Sequence, residues 1–306
     1  MDKYNIFLFD MYGVLWDGKT FYEKALEILK TLKDSGKIVY ILSNNSKPSS
    51  YSLKTKVPEE CCNGIITSGD VIKKTLENGE IKFQNKENCE KVYIFGSKNT
   101  PIFYNTKYRV VENLDEADFI YISSPQLTEE EYYNYKDDKN IFKKSKNGNW
   151  DSVNIKPFIP YLNDCFNKKL PLLSANPDLT AQEIDVNTNE INFVIRQGTI
   201  IEKYKELGGE VFEFGKPNKN IYDFTFKTIE EQIGRKINKN EVIMIGDTLR
   251  TDIKGANNVG IDSILLTETG VTANKLRNTN YFELLSEYNA IPTYTIGKIA
   301  NLMDFY

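Results

Sequence analysis

Short, unbroken apolar runs, each closed by a polar tip, recur along the chain. Ile6-Phe7-Leu8-Phe9 ends at Asp10, Ile38 to Leu42 ends at Ser43-Asn44-Asn45-Ser46, and Val242 to Ile245 ends at Gly246-Asp247-Thr248. A run without apolar/polar alternation fits a strand covered on both faces, the condition of a parallel sheet. Between the first two runs, Ala25, Leu26, Leu29 and Leu32 fall at helical spacing over Phe21 to Ser35, and Gly36 follows as a stop. The pattern continues with a helix around Ser49 to Lys54, a short Ile65-Ile66 strand, and Thr67-Ser68-Gly69-Asp70 opening another helix. It resumes late in the chain. A Val211 to Phe214 strand leads to Gly215-Lys216-Pro217, followed by helices over Lys219 to about Glu231 and Thr251 to Asn258. Strands follow at Ser263 to Leu266 and, near the sheet edge, Tyr294 to Ile296. Strand, polar tip, helix as a repeating unit predicts an α/β fold with a doubly wound parallel sheet and its polar tips on one edge.

From about Ile81 to Gly208 the texture differs. Strands are predicted at Lys91 to Phe95 and Asp118 to Ile122, with a helix from Thr128 and a polar loop through Asn147-Gly148-Asn149. This reads as an inserted α+β domain over 81–208, which leaves 1–80 and 209–306 as a discontinuous core. No internal repeat, low-complexity tract, P-loop or dinucleotide fingerprint is present.

Composition narrows the chemistry. The chain has 306 residues, 40% hydrophobic and 12% aromatic, which allows two globular domains. A net charge of −4 with Lys and Glu intermixed gives no nucleic-acid footprint or membrane surface. The Lys-rich stretch from Lys136 to Lys146 reads as a solvated loop. Met1-Asp2-Lys3 leads into a short strand rather than a signal peptide, and a cytoplasmic address is the default expectation. Cys61, Cys62, Cys89 and Cys165 lack zinc-ligand spacing and read as structural thiols. Histidine is absent, so Ser-His and Cys-His catalysis, His-ligated zinc and phosphohistidine transfer are excluded. Carboxylate, lysine and hydroxyl chemistry remains, and carboxylate sites take hard cations, Mg²⁺ above all.

An isolated Asp-x-x-Gly such as Asp10 to Gly13 is more often a turn cap than a nucleophile. Four strand ends, however, place Asp10, Ser43, Lys216 and Asp247 on one sheet edge. Phosphoryl transfer asks for alignment and for neutralisation of charge on the peripheral oxygens. Asp10 can attack phosphorus, Ser43 can hydrogen-bond a phosphoryl oxygen, Lys216 can offset the charge of both, and Asp247 can hold a metal. Asp252 could complete the metal's surroundings through water. Asn44 and Asn45 are read as phosphate contacts, with helix capping as the competing role. Gly13 and Gly18 are read as turn glycines, Trp16 as a packing residue, and Asp17 and Asp70 as turn and N-cap residues.

These motifs resemble the haloacid dehalogenase superfamily of aspartate-nucleophile hydrolases over nearly the whole chain. Asp10 stands at that family's first motif, Ser43 at its second, Lys216 at its third, and Gly246-Asp247-Thr248-Leu249-Arg250-Thr251-Asp252 at its fourth. The late insertion, with Ser43-Asn44-Asn45-Ser46, Thr67-Ser68-Gly69 and Asn176-Pro177-Asp178, resembles the class IIA branch of p-nitrophenyl, phosphoglycolate and pyridoxal phosphate phosphatases. The resemblance implies a Rossmann-like core and an inserted cap that closes over the site and chooses a small phosphorylated metabolite. It also implies Mg²⁺ bound by Asp10, the Tyr12 carbonyl and Asp247. Oligomeric state stays open, with pairing of two copies through the cap the arrangement such relatives offer.

One position departs from that pattern. The phosphatases carry Asp-x-Asp at the first motif, and here Tyr12 replaces the second Asp, the general acid and base. Its loss slows turnover by roughly two to four orders of magnitude, and a phenol with a pKa of about 10 is a poor base at neutral pH. Three readings follow. The first is a Mg²⁺-dependent phosphohydrolase that is slow or restricted to leaving groups needing no proton. The second is a weakened protein that binds a phosphorylated ligand as a sensor. The third is a 2-haloacid dehalogenase, whose first motif Asp-x-Tyr-Gly resembles, although that branch places its cap earlier and uses no metal.

Overall fold

The computed structural model describes residues 3–54, 56–83, 88–98, 100–134, 141–146 and 148–305. Residues 136–140 of the Lys-rich stretch and Asn147 of the polar loop lie outside them. The chain divides into two compact units, Met1–Val71 with Gly215–Tyr306, and Ile72–Phe214.

The first unit opens with β1 (Ile6–Phe9), α1 (Ala25–Asp34), β2 (Ile38–Ser43), α2 (Ser49–Ser52), β3 (Gly64–Thr67) and α3 (Ser68–Glu77), which runs on into the second unit. β1 is buried at every position, as its uniform apolarity requires. α1 buries Ala25, Ile28, Leu29 and Leu32. It starts later than its periodicity predicts because Lys24 is left-handed (φ 62°) and the preceding Tyr22 amide is bonded to the Leu15 carbonyl at 2.9 Å. Gly36, at φ 82°, follows its end.

The second unit contains β4 (Lys91–Phe95), β5 (Arg109–Val111), β6 (Phe119–Ile122), β7 (Gln126–Leu127), α4 (Glu129–Tyr133), β8 (Phe142–Lys144) and β9 (Trp150–Ser152). It continues with α5 (Ile159–Asn167), β10 (Leu172–Ser174), β11 (Thr180–Ile184), β12 (Ile191–Ile195), α6 (Gln197–Glu206) and β13 (Val211–Glu213). Its main sheet has the order β13-β10-β6-β4-β5 and is parallel throughout. Among the described strands, antiparallel pairing occurs in the β11-β12 hairpin and the β7-β9-β8 sheet. Ile120, Ile122, Leu172, Ile200 and Tyr204 lie in its core. Thr128 and Glu131 form a capping box at the start of α4, where a helix is predicted. The Val211 strand differs from its expectation: it pairs with β10, so it belongs to the second unit's sheet rather than marking the return to the first.

The first unit resumes with α7 (Lys219–Ile233), β14 (Val242–Gly246), α8 (Lys254–Val259), β15 (Asp262–Leu266), α9 (Gly270–Lys275), α10 (Tyr281–Tyr288) and β16 (Tyr294–Ile296). Its six-stranded sheet has the order β16-β15-β14-β1-β2-β3, with every pair parallel and β16 at an edge as predicted. Phe7, Phe9, Ile243 and Ile245 share one core with Leu29 and Leu32 of α1. The helix predicted from Thr251 enters α8 through a π-helical turn over Leu249–Ile253, a local widening common beside functional groups. No described helix is long and apolar enough to cross a membrane.

Candidate active site

The strand order fixes where a site can form. β2 and β3 are added on one side of β1, while β15 and β16 are added beyond β14 on the other. The winding therefore reverses between β1 and β14, and open α/β sheets bind ligands in the crevice at the carboxyl ends of such a pair. Phe9 pairs with Ile245, and the Asp10 amide donates to the Ile245 carbonyl at 2.9 Å. Asp10 and Asp247 thus leave adjacent strand ends.

Three carboxylates meet there. Oxygen atoms of Asp10, Asp247 and Asp252 lie within 4.8 Å of one another. Asp247 and Asp252 are each only 1% exposed. Glycines make this approach sterically accessible. A Cβ on Gly13, which sits at φ +84°, would stand 2.5 Å from Asp247 Oδ2, and a Cβ on Gly270 would also collide with that carboxylate. The Val271 amide donates to Asp247 Oδ2 at 2.6 Å, and the Thr248 amide donates to Asp252 Oδ2 at 3.1 Å.

Lys216 supplies the opposing charge. Its buried ammonium donates to Asp10 Oδ1 and to the Leu42 carbonyl, each at 2.6 Å, and is ion-paired with Asp252 Oδ1 at 2.8 Å. Burial alone would lower its pKa, but the charges of Asp10 and Asp252 prevail and hold it above the usual lysine value. The Asp247 carboxyl is pushed the other way from an ordinary carboxylate. Burial first, then the charges of Asp252 and Asp10, raise its pKa against the pull of the Val271 amide and Lys216.

The second strand tip is organised by its own amides. Asn44 accepts from the Lys216 amide at 2.7 Å and donates to the Lys216 carbonyl at 3.0 Å, so its side chain ties β2's tip to the lysine's backbone. Ser43 is 2% exposed and its Oγ accepts from the Asn45 amide at 3.3 Å. Asn45 Oδ1 accepts from the Lys47 amide at 2.9 Å, and the Asn45 carbonyl accepts from Ser68 Oγ and the Gly69 amide, both at 3.0 Å. Asp70 accepts from the Ser49 and Thr67 amides at 3.0 and 2.9 Å, a joining role. Asp17 accepts from the Lys19 and Thr20 amides at 2.6 Å each, as a turn residue does. Trp16 packs edge-on to Phe21 with ring centroids 4.8 Å apart.

Tyr12, in contrast to Asp247 and Asp252, is an exposed residue. It is 42% exposed, with the Lys56 ammonium 5.9 Å from its ring centroid. Three participants escaped the sequence reading. Thr269 Oγ1 donates to the Gly13 carbonyl at 2.6 Å, Val271 bonds Asp247, and the Tyr22 phenol is pushed up to about 12 by burial and then by the charges of Asp247 and Asp17. The signal for the first two was Thr267-Glu268-Thr269-Gly270, another polar tip closing an apolar run.

The cluster fits a divalent cation held by oxygen atoms. Asp247 Oδ1 is buried and accepts no hydrogen bond among the described residues, beside two further carboxylates. A buried anionic oxygen without a donor is expensive unless a cation serves it.

The fold and this cluster define a hydrolase of the α/β class with an acidic, lysine-bridged centre at the sheet's switch point. Residues 7–105 match the family described as haloacid dehalogenase-like hydrolase, and residues 213–300 match the one described as HAD-hydrolase-like. Both matched families are of haloacid dehalogenase-like hydrolases, one at each end of the chain. It is 24% identical to phosphoglycolate phosphatase 2 of Arabidopsis thaliana over 99% of this chain and 94% of that protein. It is also 24% identical to the 4-nitrophenylphosphatase of Schizosaccharomyces pombe, over 99% of this chain and 95% of that one. A haloacid dehalogenase-like hydrolase from Brucella suis 1330 shares the fold with a TM-score of 0.70 at 22% identity, covering 89% of this chain and 91% of its own.

Proposed function

We propose that the protein is a Mg²⁺-dependent phosphohydrolase that acts on a small phosphorylated metabolite through a phosphoryl group carried on Asp10. The observation that carries this reading is the meeting of Asp10, Asp247 and Asp252 with Lys216 bonded to Asp10 and ion-paired to Asp252. Relatives named as phosphatases along nearly the full chain support it.

Asp10, Asp247 and the Tyr12 carbonyl would hold Mg²⁺, with Asp252 acting through water. When bound, the ion would neutralise charge on the phosphoryl oxygens. A carboxylate oxygen of Asp10 forms a bond to phosphorus as the bond to the leaving oxygen breaks, and the leaving group departs with that electron pair. Lys216 keeps the Asp10 carboxylate oriented and balances its charge before attack. Ser43 and Asn45 at the tip of β2 orient the phosphoryl group. Water then attacks phosphorus, inorganic phosphate leaves, and Asp10 returns as a carboxylate.

Tyr12 decides which esters turn over. Tyr12 supplies no carboxyl to serve as general acid, and a phenol is a poor base for activating water near neutral pH. Aryl phosphates, acyl phosphates and phosphoanhydrides, whose leaving groups need no proton, are the favoured substrates. The dehalogenase reading loses ground because three carboxylates gathered with an undonated oxygen suit a metal that haloacid chemistry does not need.

Turnover of p-nitrophenyl phosphate against an alkyl phosphate, with and without Mg²⁺, tests the proposal. The native protein is expected to hydrolyse the aryl ester only with Mg²⁺. Tyr12→Asp is expected to raise alkyl-ester turnover by roughly 10²- to 10⁴-fold. An inert native protein together with an inert Tyr12→Asp would refute it.

A further inference from the structure

The turn after Asp10 is held at both ends of one soft joint. The Leu15 and Trp16 amides donate to the Met11 carbonyl at 3.0 and 2.9 Å, and the Gly13 amide donates to the Trp16 carbonyl at 2.9 Å. In a trans peptide the N–H and C=O point in opposite directions, so fixing the Gly13 amide also fixes the aim of the Tyr12 carbonyl. Gly13 itself sits at φ +84°, and a glycine joint swings at little cost. The next peptide plane is held from outside the turn, because Thr269 Oγ1 donates to the Gly13 carbonyl at 2.6 Å.

The same short segment also grips Asp247. Gly270 lies against its carboxylate, the Val271 amide donates to Oδ2 at 2.6 Å, and the Thr272 amide donates to the Asp247 carbonyl at 3.2 Å. Residues 269–272 thus touch both the nucleophile's turn and a fully buried carboxylate of the cluster. A second observation concerns Thr269 itself. It occupies the N-cap of α9, where a threonine ordinarily bonds its own helix, yet its side chain makes no capping bond. The hydroxyl is directed to Gly13 instead.

We propose that Thr269 is a positioning residue for the divalent-cation site: by holding the Gly13–Val14 peptide it fixes the far side of the glycine joint whose near side carries the Tyr12 carbonyl towards Asp247. This rests on the Mg²⁺ reading of the site given above. Groups that orient metal ligands from behind typically change metal affinity by about 10- to 100-fold when removed. Thr269→Val keeps the β-branched shape and deletes the hydroxyl, while Thr269→Ser keeps the hydroxyl and deletes the methyl.

The experiment is calorimetric titration of MgCl₂ into native protein, Thr269→Val and Thr269→Ser, with thermal unfolding measured with and without Mg²⁺. Thr269→Val is expected to bind Mg²⁺ at least about tenfold more weakly and to lose most of the Mg²⁺-induced rise in Tm, with Thr269→Ser close to native. If Thr269→Val does not fold, Thr269→Ala is compared with Thr269→Ser in its place. Equal Mg²⁺ affinity in Thr269→Val and native protein overturns the inference, even where the metal-free Tm falls, because a packing role alone would do that. Equal weakening in the Val and Ser variants also overturns it, since the methyl would then be responsible. If native protein shows no Mg²⁺ binding, the reading of the site fails first and the inference falls with it.

Discussion

Asp247 is almost wholly buried beside two other carboxylates, so without a cation its ionised form is costly. An unfolded aspartate titrates near about 3.9, and the folded one titrates well above that. Between those values the folded state keeps a proton that the unfolded state has lost, so metal-free stability falls as pH rises through the window. Asp247→Asn removes that slope and retains an oxygen for the Val271 amide. The variant is expected to be more stable than native protein by about 1–2 kcal/mol near neutral pH without metal, and to show no stabilisation by Mg²⁺. Urea unfolding with and without Mg²⁺ measures both, and a less stable metal-free variant would count against the cation site. Asp10, Ser43 and Asp247 were legible as strand-end residues and Asp252 as a first-turn residue after Asp247, whereas Lys216, expected at a strand end of the same sheet, follows β13 of the other unit's sheet. Asn44 was read as a phosphate contact with helix capping as the competing role; its bonds to the Lys216 backbone were not legible because they join positions 172 residues apart. Thr269 was missed because a hydroxyl at a helix start already has a local explanation.

At the scale of elements, the link between α7 and β14 carries a titratable lock. Glu241 is bonded in bidentate fashion by Arg235 at 2.6 and 2.8 Å, and also accepts from the Asn238 amide and the Asn5 amide group, each at 3.1 Å. The Arg235 bond chiefly, against an opposing contribution from burial, lowers its pKa to about 2. An unfolded glutamate titrates near about 4.3. The stabilisation is therefore present above that value and is lost as pH falls towards about 2. Glu241→Gln is expected to flatten the pH dependence of unfolding in that acid window and to lower neutral-pH stability by roughly 1 kcal/mol, the loss being limited because the Arg235 side chain is half exposed. Acid titrations of both proteins in urea measure it; parallel curves would contradict it. Elements built on apolar runs, β1, β2, β4 and β14, were legible nearly to the residue because near-complete burial leaves few polar positions to blur them. β13 was legible as a strand but not as to its sheet, because Val211–Glu213 is only partly buried and its partner β10 is a three-residue run.

At the scale of the whole molecule, the winding order does what no single motif does: it brings residue 10 and residue 247 to neighbouring strand ends. That both tips share one sheet edge follows from strand–helix alternation and was legible; that β1 and β14 are neighbours was not. The second unit was legible mainly as a change of texture. Its parallel sheet is built from short strands separated by long connections, and its β11-β12 hairpin has polar positions that weaken any periodic signal. The central claim is that Asp10 carries the phosphoryl group. Rapid acid quenching of the protein during Mg²⁺-dependent turnover of p-nitrophenyl phosphate, followed by mass spectrometric mapping, tests this most directly. The account predicts phosphorylation on Asp10 that requires Mg²⁺ and vanishes in Asp10→Asn. Phosphate release that persists in Asp10→Asn, or a phosphoryl group found on another residue, would contradict it.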